Sequence, residues 1–228
     1  DIRIEVRESA VSLFQKNILN LKVFKKKSNL NSDCDYKISF ASLNNFFFEQ
    51  KNKNEKKLFK IEEELLSKWG KKINSKKLKV GLTWSGNLYG VNEPFRSIEL
   101  EKLQKILSLD CDFICLQKDL WERDKKNFKN SKINNLGDND FLEIAAIIEN
   151  LDLVISTDTS ILHLSSSLEK LTWGLISFNP EWRWWIYNKP PFYKNLIQYK
   201  QIHFNNWDNV LNDVYSDLKK IIDKKKSH

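Results

Sequence analysis

The chain contains no methionine, three cysteines, three histidines and five arginines among its 38 basic residues, and it has no long apolar run. Each of these shortages excludes something. Cys34, Cys111 and Cys115 give neither a disulfide framework nor a metal or redox motif, and the last two flank and fill an apolar strand where cysteine acts as a small hydrophobe. His163, His203 and His228 have no carboxylates at ligand spacing, so no catalytic zinc is expected. The net charge of +8 and pI near 9.2 invite a nucleic-acid reading. Against it, Arg3, Arg7, Arg96, Arg123 and Arg183 are all the arginine there is, whereas base-edge and bidentate phosphate recognition favour arginine. Lys25–Lys27 and Lys224–Lys226 therefore read as solvated surface and tail, and no nucleic-acid partner is expected.

Nothing in the sequence approaches the ~18 consecutive apolar residues of a membrane helix, and Asp1–Glu5 has neither a basic leader nor an apolar signal core. A cytoplasmic protein with no transmembrane segment is expected. With Asp at position 1 and no methionine anywhere, further chain upstream is expected too. Two common nucleotide motifs are also missing. There is no G-x-G-x-x-G, and although Gly81 and Gly86 have the spacing that opens a Walker loop, Asn87-Leu88 stands where Lys-Ser or Lys-Thr is required. Both NAD binding and ATP hydrolysis lose support.

What is present is enough apolar material, 41% of 228 residues, for a substantial core in one large or two smaller domains. From Leu78 onward short apolar runs alternate with amphipathic segments, the pattern of a Rossmann-like α/β parallel sheet with crossover helices. Strands are expected over Leu78–Thr83, Phe113–Leu116, Leu153–Ile155, Thr172–Ile176 and Asn195–Tyr199. Helices are expected from a Ser97 cap to Leu109, over Asp140–Asn150, Thr159–Leu168 and Asp208–Ile222. Residues 1–77 read differently: a helix over Ser9–Lys16, short strands at Leu21–Phe24 and Tyr36–Phe40, and a helix over Leu58–Trp69 inside a Lys- and Glu-rich stretch. They read as the remnant of a preceding α/β domain plus a linker, with 78–228 as the second domain.

The most informative segment is Asp152–Leu164, where an apolar strand runs into a polar turn and a helix start. Asp158, Thr159 and Ser160 offer capping oxygens and free backbone N–H groups beside the positive end of a helix dipole, which suits a phosphate. His163 lies one turn beyond Thr159 and leans toward the same mouth, off the Ile161, Leu164, Leu168 stripe. Helix capping and a structural histidine explain the same residues without any ligand.

Other segments end strands of the same sheet, where ligands of such folds bind. Ser85, Gly86 and Asn87 suit a tight, backbone-exposed turn after the first strand. Arg96 either projects into the mouth or lies on the surface. Gln117 and Lys118 stand where an amide and an ammonium reach phosphate or base oxygens. Trp182, Arg183, Trp184 and Trp185 fit burial at an interface or stacking on a ligand, and Arg183 fits a pair with Glu181 or an anionic ligand.

Taken in order, Val80–Asn87, Arg96–Ile98, Leu116–Lys118, Leu151–Leu164 and Trp182–Trp184 resemble the C-terminal half of a GT-B glycosyltransferase. The likeness is to the bacterial tetratricopeptide-linked, heptosyltransferase-like group. It spans about residues 78 to 215, and Cys34–Phe48 is similar to the end of that group's first domain. The resemblance implies that the half binds a nucleotide-diphosphate sugar, with Thr159, Ser160 and His163 holding its phosphates and Asp158 shaping the turn. Ser160 replaces the Ala or Gly common in that group, and Ser166-Ser167 replace a Gly- or Ala-rich continuation.

The expected function is the donor-binding part of a glycosyltransferase that moves a sugar from a nucleotide diphosphate to a hydroxyl, inverting and metal-independent, with the donor as substrate and no cofactor. Lys118 and Arg96 would join His163 in holding the diphosphate; Gln117, Ser85, Gly86, Asn87 and Arg183 are further donor contacts. The resemblance puts the acceptor-activating base in the first domain, so no catalytic residue is assigned. The acceptor is a glycan, a lipid-linked sugar or a protein. The rival reading is a non-catalytic nucleotide-sugar or protein-binding module anchored by the tryptophans.

Overall fold

The apolar runs that the sequence predicts as strands line up side by side in a computed structural model of the chain, which describes residues 2–26, 35–39, 57, 59–87, 93–182, 184 and 193–226. They fall into two units, one ending at Leu58 and the other starting at Phe59. In the first unit β1 (Arg3–Val6) and β2 (Lys22–Lys25) pair in parallel, Ile4 opposite Val23, joined by a 3-10 turn and α1 (Val11–Asn17). Among the described residues, Val6, Ala10, Leu13 and Val23 are its buried hydrophobic side chains. Of the strand expected over Tyr36–Phe40, the described residues Tyr36–Ser39 are irregular and solvent-exposed, with Tyr36 and Ile38 packed against nothing that buries them, and Cys34 and Phe40 lie outside the described residues.

The second unit opens with α2 (Glu63–Lys72), which starts five residues later than the expected Leu58 and belongs to this unit rather than to a linker. The Trp69 indole N–H donates to the Glu143 carboxylate, Lys68 Nζ reaches the same group at 2.6 Å, and Asn150 Nδ2 donates to the Leu66 carbonyl at 3.0 Å. Then follow β3 (Leu78–Thr83), the short helix α3 (Glu93–Arg96), a 3-10 turn (Leu100–Leu103) running into α4 (Gln104–Leu107), and β4 (Cys111–Cys115). After these come α5 (Glu122–Lys129), β5 (Asn134–Asn135), α6 (Phe141–Glu149), β6 (Leu153–Thr157), α7 (Ser160–Ser167), β7 (Thr172–Ile176), β8 (Leu196–Lys200) and α8 (Asp208–Lys226).

All six strands are parallel, in the order β5-β4-β3-β6-β7-β8. The chain therefore starts at the centre of the sheet with β3, winds outward through β4 and β5, and returns to the other side of β3 with β6. That reversal is the topological switch point of a doubly wound α/β fold, where the crossovers leave on opposite faces and open a crevice at the carboxyl ends. One face packs Val80, Leu82, Phe113, Leu153, Ile155 and Leu175 against Ile106 of α4 and Val210, Val214 and Leu218 of α8. On α6, Ala145–Ile148 are fully buried, and Leu162 of α7 packs with Ile176 and Leu196. Gly81 is required by closeness: a Cβ there would stand 2.6 Å from a Leu116 methyl and 2.7 Å from a Leu151 methyl. Among the described residues no helix is long and apolar enough to cross a membrane.

One local expectation is not met. Ser97 does not cap a helix; its buried hydroxyl accepts from the Gly86 N–H at 3.4 Å, and the turn that begins at Leu100 has Glu99 at its cap position without a side-chain bond. The Leu100 N–H is satisfied from a distance by Asp124 Oδ1 at 2.9 Å. Asp140, where a helix is expected to begin, is the cap of α6, accepting from the Glu143 N–H at 2.9 Å.

Candidate functional site

The switch point places the ends of β3 and β6 side by side, with Thr83 in register with Ser156. From β6 the chain turns through Asp158 into α7. Thr159 caps that helix in an extended conformation, its Oγ1 accepting from the Ile161 N–H at 3.3 Å. Ser156 Oγ stands 3.1 Å from the same oxygen and donates to the Thr157 carbonyl at 2.7 Å, so the turn is braced from the strand side. The first turn of α7, with Ser160 exposed at its start, presents the positive end of the helix dipole.

Asp158 is buried and gathers the side chains of His163 and Arg96. His163 Nε2 lies 3.7 Å from Oδ1 and Arg96 Nη1 lies 3.9 Å from Oδ2. Burial acts to raise the carboxyl's pKa, but the nearby His163 ring, the facing Trp184 indole and the Arg96 charge together hold it below the ordinary value. The His163 ring stacks on Trp184 at 5.6 Å between centroids and 20° between planes, and its Nδ1 lies 2.8 Å from the Tyr193 hydroxyl. Its neighbours are thus aromatic and ionic, and its side chain keeps 29% of its surface exposed.

On the β3 side, the turn after Thr83 is tied down by the protein. Gln117 Oε1 accepts from the N–H groups of Trp84 and Ser85, each at 3.1 Å, while Nε2 donates to the carbonyls of Ser85 at 2.6 Å and Asp119 at 2.9 Å. The Trp121 indole donates to the Gly86 carbonyl at 3.3 Å. Three hydroxyls at these strand ends, those of Thr83, Ser85 and Thr157, are buried with no hydrogen-bond partner among the described residues. A buried hydroxyl left unpaired costs free energy, and such groups collect where a ligand or water completes them.

The structure thus brings Arg96, Asp158, Thr159 and His163 together, with Ser85 at the neighbouring strand end. It places Gln117 and Lys118 after β4, on the far side of β3 from β6, with Lys118 exposed and 3.9 Å from Asp138. Gln117 is a clamp on the β3 turn, its carboxamide fully engaged with backbone. Asn87 is exposed, Arg183 and Trp185 lie outside the described residues, Trp182 is exposed, and Trp184 is buried against the His163 ring.

Tyr193 and Asp124 matter here without having been singled out in the sequence. Asp124, 1% exposed, accepts from the Trp84 indole at 3.0 Å as well as from the Leu100 backbone. The thiols of Cys111 and Cys115 are both pushed up to about 11, mainly by burial, which leaves them protonated and unreactive.

No family model matches the chain, and no curated protein matches it. Among solved structures it is similar to a glycosyl transferase family 9 protein from Veillonella parvula DSM 2008, with a TM-score of 0.51 and 13% identity over 73% of this chain and 53% of that one. It is also similar to ADP-heptose LPS heptosyltransferase II of E. coli, with a TM-score of 0.49 and 11% identity over 74% of this chain and 54% of that one. The chain spans about half the length of the solved structures it matches. At such identities the likeness is one of fold, the α/β architecture with its six-stranded parallel sheet.

Proposed function

We propose that this chain is the donor-binding part of a glycosyltransferase, transferring a sugar from a nucleotide-diphosphate sugar to a hydroxyl, with inversion and without a metal ion. The observation that carries the reading is the switch-point cluster: a capped helix start, His163 and Arg96 gathered on buried Asp158, and unpaired buried hydroxyls at the ends of β3 and β6. The fold shared with the Veillonella parvula protein agrees with it.

In the transfer, negative charge builds up on the departing diphosphate. The amino end of α7 supplies fixed positive potential there and His163 and Arg96 supply hydrogen-bond donors, together the task a divalent cation performs in metal-dependent transferases. Asp158 holds both side chains in place. Its own charge is compensated by them, so the helix terminus remains the attracting element. Lys118, two strand spacings or about 10 Å from β6, serves a different part of the donor than the group beside His163. In a direct displacement the acceptor oxygen attacks the sugar carbon as the diphosphate leaves, and its proton passes to a base from outside this cluster.

Isothermal titration of the whole chain with UDP and with ADP tests the reading. Saturable binding by the wild type, weakened in both His163→Ala and Thr159→Ala, is the expected result. Equal binding by the doubly substituted chain would remove the site.

A further inference from the structure

We infer that Tyr193 is a positioning residue that fixes the orientation of His163 in the tautomer that Asp158 selects, with the proton on Nε2. The inference deepens the donor-site reading and rests on it only for the role of His163 toward a diphosphate.

The ring is held on three sides. Nε2 faces the carboxylate of Asp158 at 3.7 Å, Nδ1 faces the Tyr193 hydroxyl at 2.8 Å, and one ring face lies on Trp184. A carboxylate only accepts, so the nitrogen turned toward it carries the proton; a neutral imidazole has one N–H, so Nδ1 accepts from the phenol O–H. Should the ring take up a second proton, the phenol reverses its role and accepts from Nδ1–H. A hydroxyl serves both protonation states, and neither a phenylalanine nor a fixed donor would. Among the described residues the groups facing the ring are Asp158, Tyr193 and Trp184, with Arg96 beyond the carboxylate at 3.9 Å.

The geometry has a consequence for binding. Without Tyr193 the ring keeps only Asp158 and Trp184 of these three restraints, and the Nε2–H is less firmly aimed at an arriving phosphate oxygen. One neutral hydrogen bond of about average strength corresponds to a roughly fivefold change in affinity.

Long-range proton–nitrogen spectra of the whole chain, labelled with 15N-histidine and recorded at about pH 8 where an ordinary imidazole is neutral, read the tautomer directly. His163→Ala identifies the signals. The expected wild-type pattern is a protonated Nε2 and a hydrogen-bonded, unprotonated Nδ1. In Tyr193→Phe the Nδ1 signal moves to the position of a free lone pair, and UDP or ADP binding weakens about fivefold. A protonated Nδ1 in the wild type overturns the inference even if the variant fails to fold. So does a Tyr193→Phe spectrum in which both His163 nitrogens stay where they were. Absence of UDP and ADP binding by a wild type that shows the expected tautomer would instead strike the donor-site reading and leave the Tyr193 assignment standing.

Discussion

After β4, the carboxamide of Gln117 makes four hydrogen bonds to backbone and the carboxylate of Asp124 joins the Trp84 indole to the Leu100 N–H. At the end of β6, the Thr157 hydroxyl has no partner among the described residues, and Asp158 just beyond draws together Arg96 and His163, groups that keep part of their surface in solvent. Similar polar residues thus follow two strands of one sheet. On the β4 side the protein consumes their hydrogen-bonding capacity internally, which makes them a scaffold. On the β6 side it leaves capacity over, and that surplus marks the place where a ligand completes the structure.

If the distinction is right, substitutions on the β4 side should lower stability, whereas those on the β6 side should lower binding. The largest effect is expected for Asp124→Ala. It strands two buried donors, the Trp84 indole and the Leu100 N–H, each costing about 1–3 kcal/mol when unsatisfied, so a loss of about 3 kcal/mol is expected in urea unfolding. A loss below about 1 kcal/mol would mean that water replaces the carboxylate and that the site is less closed than its burial indicates. Gln117→Ala comes next, at about 2 kcal/mol, because the N–H groups of Trp84 and Ser85 lose their shared acceptor. If it instead removed nucleotide binding from a chain of unchanged stability, Gln117 would be a ligand residue and the comparison would fail. His163→Ala should show the opposite profile, with about tenfold weaker UDP or ADP binding, or about 1.4 kcal/mol, and little change in the urea midpoint.

How much of this the sequence discloses depends on whether the cause is local. Leu78–Thr83 and Thr172–Ile176 are legible to the residue as strands because a central parallel strand is apolar on both faces. The start of α7 is legible because Thr159 bonds its own helix, two residues on. α5, with the sequence Glu-Arg-Asp-Lys-Lys-Asn-Phe-Lys, shows no apolar stripe, and its one buried residue is Asp124. β5 is two asparagines, which carry little strand preference, held by the edge of β4. Asp124 acts on partners 24 and 40 residues away, and Tyr193 reaches His163 across 30. Ser97 illustrates the converse error, since a capping residue type before an amphipathic run predicts a cap, yet the hydroxyl serves Gly86 instead. For the candidate site, the β6 half was therefore readable, and the tether that gathers Arg96 onto Asp158 was not, because β3 and β6 become neighbours only through the fold.

The smallest expected effect lies at the opposite, amino-terminal end of the sheet and sharpens the same contrast. Asp110, just before β4, is bridged at 2.9 Å by Lys77 and at 2.8 Å by Lys226, which brings the end of α8 to the base of the sheet. Hydrogen bonds from Lys226 and Lys77, and then their charges, lower its pKa from 3.8 to about 2. A carboxyl whose folded pKa is depressed contributes stability above its unfolded value and loses that contribution as pH falls through the folded one, here between about 3.8 and about 2. Asp110→Asn should therefore flatten the acid limb of the stability curve in that window, with the variant slightly less stable than wild type above it and equal to it below, the difference being small because exposed pairs are screened by water and salt. Raising the ionic strength should erase the difference between wild type and variant. By contrast, salt should not rescue Asp124→Ala, whose stranded donors are shielded from ions by burial; a salt response there would place Asp124 among the exposed pairs and dissolve the scaffold side of the comparison.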